Sequence, residues 1–213
     1  MLFDKYRYVV VEGPIGVGKT SLARRIAQHI DAATLLEKPD ANPFLAQFYQ
    51  DPPRYALATQ LFFLFQRGHE VRDLAQLDLF RKCTVADYLF EKDPLFARLN
   101  LNDEEFVLYQ QIYRSLKLQT PVPDLVIYLQ AAPQTLAGRV YKRALPYENG
   151  INEEYLFRLA QSYSEFFYHY DAAPVLMVNS EHLNFVTGDD DFNLLLQRIE
   201  KMRGPREFFN RGN

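Results

Sequence analysis

The chain has 213 residues, 48% hydrophobic and 24% charged, with a formal net charge of −3 and a pI near 5.8. That length suits one well-buried core with an inserted element or two and is short for two full domains. Clustered Lys and Arg would be needed to grip a nucleic-acid backbone, and this balance carries no basic surplus, so a nucleotide-sized partner is expected instead of a polymer. No apolar run approaches membrane-spanning length, and Met1–Arg7 shows no signal-peptide apolar region, so no membrane partner and a cytoplasmic location are expected. The single cysteine, Cys83, falls in an apolar run and reads as a small core residue in a reducing compartment.

Tyr8-Val9-Val10-Val11 predicts a first strand, followed by Gly13-Pro14-Ile15-Gly16-Val17-Gly18-Lys19-Thr20, which fits the phosphate-loop pattern G-x-x-x-x-G-K-[ST] at every fixed position. Glycines let backbone N–H groups turn inward around phosphates, Lys19 would place its ammonium on the β- and γ-phosphates, and Thr20 its hydroxyl on Mg²⁺. The helix starting near Gly18, with Ser21 in its first turn, would add the positive end of its dipole beneath the anion. Leu22, Ala23, Ile26, Ala27 and Ile30 give that helix one buried face, and it is expected to end before Asp31.

Ala33–Leu36 reads as a second strand, stopped at Lys38-Pro39. Asn42-Pro43 predicts the cap of a short helix through Phe44, Leu45 and Phe48, and Asp51-Pro52-Pro53 opens a long aromatic helix over Tyr55–Leu79. Cys83–Ala86 is a third strand ending at Asp87, and Asn102-Asp103-Glu104-Glu105 starts a helix with an acidic first turn. Leu125–Leu129 is a fourth strand, Pro133–Arg143 a helix, 145–150 a loop, Asn152–Tyr170 a further helix and Val175–Val178 a fifth strand. Apolar strands alternating with helices predict an α/β fold of the phosphate-loop NTPase type, a doubly wound parallel sheet of five strands flanked by helices, with ligands at the carboxyl ends of the strands. A single domain is expected over 1–203, with a lid at about 139–150 and a loosely held polar tail over 204–213.

Glu37 and Asp87 close the second and third strands and face the phosphate loop in this arrangement. Either could accept a hydroxyl proton, and a carboxylate or its bound water could ligate Mg²⁺; a solvated acid at a strand end is the plainer alternative for each. Arg139, Lys142 and Arg143, followed by Glu148, would form a closing lid whose guanidinium groups reach the phosphates, against the commoner fate of a solvated helix face. Phe44, Phe48, Tyr49, Tyr55, Phe62, Phe63 and Phe65 read mostly as core. Gln60 and Arg67 are polar among them, and the Gln60 amide wants a partner with both a donor and an acceptor, which a nucleobase edge supplies.

The phosphate loop, Leu35–Pro39, Phe48–Pro52, Gln60–Phe63, Val85–Tyr88, Asp124–Leu129 and the lid together resemble the deoxynucleoside kinase family, whose members phosphorylate the 5′-hydroxyl of deoxynucleosides. The resemblance covers most of the length. It implies a homodimer, Mg²⁺-ATP as donor and a deoxynucleoside acceptor with purine or broad preference. It also implies Tyr49 near the sugar, Gln60 on the base, Arg143 in the lid and Glu148 at the lid's sugar-facing end.

Three departures stand out. The family's Glu-Pro signature, whose Glu is the general base, becomes Glu37-Lys38-Pro39, so strand alternation would turn Glu37 away from the cleft unless the strand end is bulged or already turning. The acidic-Arg-Ser signature becomes Asp87-Tyr88-Leu89, and Leu145 stands where relatives often carry a lid arginine. The expected catalytic set is therefore Lys19 and Arg143 with Asp87 or Glu37 as base, nucleotide held by Gly13–Ser21 with Arg139 and Arg143, and metal by Thr20 and Asp87. A nucleotide-binding regulatory relative that has lost turnover is the alternative reading.

Overall fold

The computed structural model describes residues 5–77, 83–117, 120–148, 150–185 and 188–210. Leu79, at the expected end of the long helix, and Asn149 of the lid loop lie outside the described residues. Six strands form one parallel sheet in the order β2-β3-β1-β4-β5-β6: β1 Tyr8–Glu12, β2 Ala33–Leu35, β3 Thr84–Ala86, β4 Leu125–Gln130, β5 Val175–Asn179 and β6 Arg206–Phe209.

The expectation of five strands is thus corrected to six. The sixth comes from the segment read as a loose tail, and it pairs in register with β5 from Val175↔Arg206 to Val178↔Phe209. Contacts distant in sequence hold it there. The Arg206 guanidinium donates to the carbonyls of Tyr168 at 2.9 Å and Tyr170 at 2.6 Å, and Phe209 packs against the core. Glu207 accepts the N–H groups of Arg203 and Gly204 and pairs with Arg198 at 2.9 Å.

Eight helices are described: α1 Lys19–Ile30, α2 Leu45–Gln50, α3 Pro52–Leu77, α4 Asp93–Asn100, α5 Asp103–Lys117, α6 Pro133–Arg143, α7 Glu153–His169 and α8 Asp189–Lys201. Sequence reasoning missed α4, which is only eight residues long, and α8, although α8 has three acidic residues in its first turn and Phe192, Leu195, Leu196 and Ile199 at helical spacing. Pleating sends Val9 and Val11 to a core shared with α1 and α8, and Tyr8 and Val10 to one shared with α7. A third cluster, including Phe48, Leu64, Phe90 and Tyr109, is built by α2, α3, α4 and α5. None of the described helices is long and apolar enough to cross a membrane.

Strand order reverses on either side of β1, the place at which open α/β sheets take ligands at the carboxyl ends of their strands, and β1 runs there directly into the phosphate loop. Gly13 has φ 151°, and a Cβ on it would stand 2.4 Å from the Leu129 carbonyl oxygen; Gly16 has φ 85°, and its Cβ would stand 2.8 Å from the Leu136 carbonyl oxygen. Neither neighbour is a flexible side-chain end, so the loop fits against β4 and α6 only without side chains. Gly13→Ala is expected to cost about 2–4 kcal/mol through strain and overpacking, read as a lower midpoint in chemical denaturation.

Candidate active site

Three strand ends deliver the charged groups. Lys19, at the start of α1, donates from Nζ to the carbonyls of Gly13 at 2.8 Å and Pro14 at 3.3 Å. Burial lowers its pKa, with Glu12, Glu37 and Asp87 acting in the opposite sense and Lys92 in the same one. Thr20 Oγ1 donates to Asp87 Oδ2 at 2.5 Å, and Asp87 Oδ1 accepts the Glu37 N–H at 2.7 Å. One buried carboxylate therefore links the phosphate loop to the end of β2. Burial raises the Asp87 pKa, and these two hydrogen bonds moderate the rise.

β2 ends at Leu35, so Glu37 lies beyond the pleat and strand alternation does not govern it. Its carboxylate faces α3, where Arg67 donates from Nε at 2.8 Å and from Nη2. Burial alone would push the Glu37 pKa up, but Arg67, then Lys92 and Lys19, outweigh it and hold the group at about 2. The Arg67 Nη1 reaches Asp93, which also accepts the Tyr109 hydroxyl. Gln60 lies seven residues before Arg67 on α3, two turns away and so on the same side. Among the described residues nothing hydrogen-bonds its buried amide.

Tyr49, on α2, packs edge-on against Tyr155, and burial raises its hydroxyl pKa well above the ordinary value, with Glu148 and Glu37 near enough to add to the rise. Glu148 is buried and forms a two-point ion pair with Arg143, one contact being Nε to Oε2 at 3.1 Å. Arg139 donates to the Ser180 carbonyl at 2.9 Å and the Val17 carbonyl at 3.3 Å, joining α6 to the phosphate loop and the end of β5.

A family model described as "Deoxynucleoside kinase" matches residues 9–203. The chain belongs to the deoxynucleoside kinase family. It is 30% identical over 200 residues to a deoxyguanosine kinase of Bacillus subtilis (strain 168), covering 92% of this chain and 97% of that one. A deoxyadenosine kinase of Lactobacillus acidophilus is 30% identical over 210 residues, covering 92% and 96%. A solved deoxyadenosine kinase from M. mycoides with bound dATP superposes with a TM-score of 0.80 at 23% identity, over 92% of this chain and all of that one, and so supports the fold.

Within this deoxynucleoside kinase fold, the sequence-predicted residues fall into two groups. Lys19, Thr20, Asp87 and Glu37 converge at the strand ends, and Tyr49, Glu148 and Arg143 gather beside them. Arg139 stands apart from the Arg143–Glu148 pair, on the Ser180 side of the phosphate loop. Sequence reasoning missed Asp93, Glu12, Lys92 and Tyr163. Asp93 carried a weak signal, an Asp-Pro helix start; Glu12, Lys92 and Tyr163 carried none, because their contacts with one another, and that of Glu12 with Leu89, span 71 or more positions along the chain. Among the described residues, no group of three or more His, Cys, Asp or Glu side chains is arranged to hold a metal ion. The Thr20 hydroxyl and Asp87 carboxylate are adjacent oxygen groups of the kind a hard cation takes as ligands.

Proposed function

We propose that the chain transfers the γ-phosphoryl group of ATP to the 5′-hydroxyl of a deoxynucleoside, with purine or broad base preference. The observation that carries this reading is the Thr20–Asp87–Glu37 chain of hydrogen bonds, which sets two carboxylates beside an intact phosphate loop. In this reading Gly13–Ser21 cradle the triphosphate, and Lys19 leaves the Gly13 and Pro14 carbonyls for the phosphate oxygens. Thr20 and Asp87 would hold Mg²⁺, which would neutralise charge on the β- and γ-phosphates. Glu37, ionised through its pairing with Arg67, accepts the hydroxyl proton. Tyr49 and Glu148 bind the sugar, and Gln60 reads the base edge with both donor and acceptor. Arg143 turns from Glu148 to the transferring group as the lid closes, and Arg139 braces the loop. The deoxyguanosine and deoxyadenosine kinases among its relatives support the purine side of the preference.

We place the whole activity in one domain over 1–203 with the lid at about 139–150, in a cytoplasmic homodimer; the exposed Phe65, Val107 and Leu108 on α3 and α5 are apolar surface that a second copy could cover. The deciding experiment incubates the purified protein with Mg²⁺-ATP and each of the four deoxynucleosides. Monophosphate from deoxyadenosine or deoxyguanosine is the expected product. ATP binding without any monophosphate would instead favour a regulatory relative that has lost turnover.

A further inference from the structure

Beneath the phosphate loop lies a buried ion pair. Glu12, the last residue of β1, has no exposed surface, and Lys92 is 1% exposed, with Nζ 3.6 Å from Glu12 Oε2. Glu12 Oε1 accepts the Gly13 N–H at 2.8 Å and the Tyr163 hydroxyl at 3.0 Å, while Oε2 accepts the Leu89 N–H at 2.7 Å. Gly13 begins the phosphate loop, and Leu89 lies two residues past Asp87. A single carboxylate therefore joins the two backbone segments that carry the triphosphate cradle and the acid facing Thr20.

The chemistry of the bridge demands a carboxylate. Its two backbone partners are both N–H donors and sit on different oxygens. Glutamate accepts with both oxygens, whereas a glutamine in the same place would turn its NH₂ against one donor. Burying that charge is unfavourable without a partner, and Lys92 supplies it, with the Tyr163 hydroxyl 3.4 Å and the Phe96 ring centroid 4.6 Å from its ammonium. Apolar residues of similar size would fill the space at less cost if packing were the sole requirement.

We propose that Glu12 is a positioning residue for phosphoryl transfer, setting the separation between the phosphate loop and Asp87, with Lys92 balancing its charge. This inference rests on the kinase reading above. The test compares wild type, Glu12→Gln, Lys92→Met and the double variant for thermal midpoint, kcat and deoxynucleoside KM.

Each single variant leaves one buried charge or mismatched donor and lowers the midpoint; the charge-neutral double variant recovers most of it. Positioning predicts that kcat stays roughly tenfold to a hundredfold down in both Glu12→Gln and the double variant, with deoxynucleoside KM little changed. Recovery of kcat together with the midpoint in the double variant would overturn the proposal, as would full kcat in Glu12→Gln. Should these variants not fold, Tyr163→Phe removes one hydrogen bond to Oε1 and no charge. A fall in kcat at constant KM then supports the proposal, and an unchanged kcat overturns it. A wild-type enzyme silent on every deoxynucleoside counts against the kinase reading itself, which separates the two failures.

Discussion

Lys19→Met is expected to lower kcat/KM for phosphoryl transfer by roughly 10²- to 10³-fold, the loss seen when one preorganised charge stabiliser is removed from a transition state. The same substitution is expected to raise the thermal midpoint. Burial lowers the Lys19 pKa, which means the folded state disfavours the ammonium relative to the unfolded chain. In that situation the unfolded state binds more protons, so stability rises with pH through the lowered folded value up to the ordinary value of 10.5. A methionine removes the desolvated charge and its contacts with the Gly13 and Pro14 carbonyls at once. Initial-rate kinetics and a thermal melt without nucleotide check the pair of signs. An active Lys19→Met enzyme, or a strongly destabilised one, would count against the assignment of this ammonium to the phosphates.

The acid limb of the pH–rate profile is expected to belong to Asp87 and not to Glu37. Arg67 holds the Glu37 pKa at about 2, so this group stays ionised at every pH in which the enzyme is assayed. Its pairing stabilises the fold fully above the unfolded value of 4.5 and is lost as pH falls toward 2. Asp87 has the opposite sign. Burial raises its pKa, so the folded state holds the proton longer than the unfolded one does, and stability without ligand falls as pH rises from 3.8 through the raised value. A proton on Asp87 competes with a cation for the oxygen that Thr20 now contacts. Asp87→Asn is therefore expected to erase the limb and, by weakening the metal ion's stabilisation of the transferring group, to lower kcat by roughly 10²- to 10³-fold. Arg67→Met strips Glu37 and Asp93 of their shared guanidinium, should destabilise the fold by about 3–5 kcal/mol, and should create a new acid limb as Glu37 rises. A limb that survives Asp87→Asn unchanged and moves only in Arg67→Met would hand the titration to Glu37.

The parts of the site that could be read in advance are those whose chemistry is local. Gly13 to Thr20 needs a particular backbone path, and glycines at φ 151°, 85° and 105° supply it within eight consecutive residues. Asn102 caps α5 by accepting the Glu105 N–H at 2.9 Å, a bond three residues long. The bond from Arg67 to Glu37 spans 30 positions and that to Asp93 spans 26, so no window on the chain contains the arrangement. The orientation of Glu37 depends on whether the strand end is already turning, which no local window shows. Alternation applies while a strand lasts, and β2 stops at Leu35.

What the order of residues determined without help was the phosphate cradle, the alternation of apolar strands with amphipathic helices, and a pair of acids at strand ends. These follow from backbone geometry and from the periodicity of burial, both properties of neighbours along the chain. The sixth strand, the carboxylate beneath the loop and the partner that keeps Glu37 ionised were decided by the folded molecule. Each depends on groups brought together from distant segments and on the low polarity of the interior, where a charge persists only beside its counter-charge.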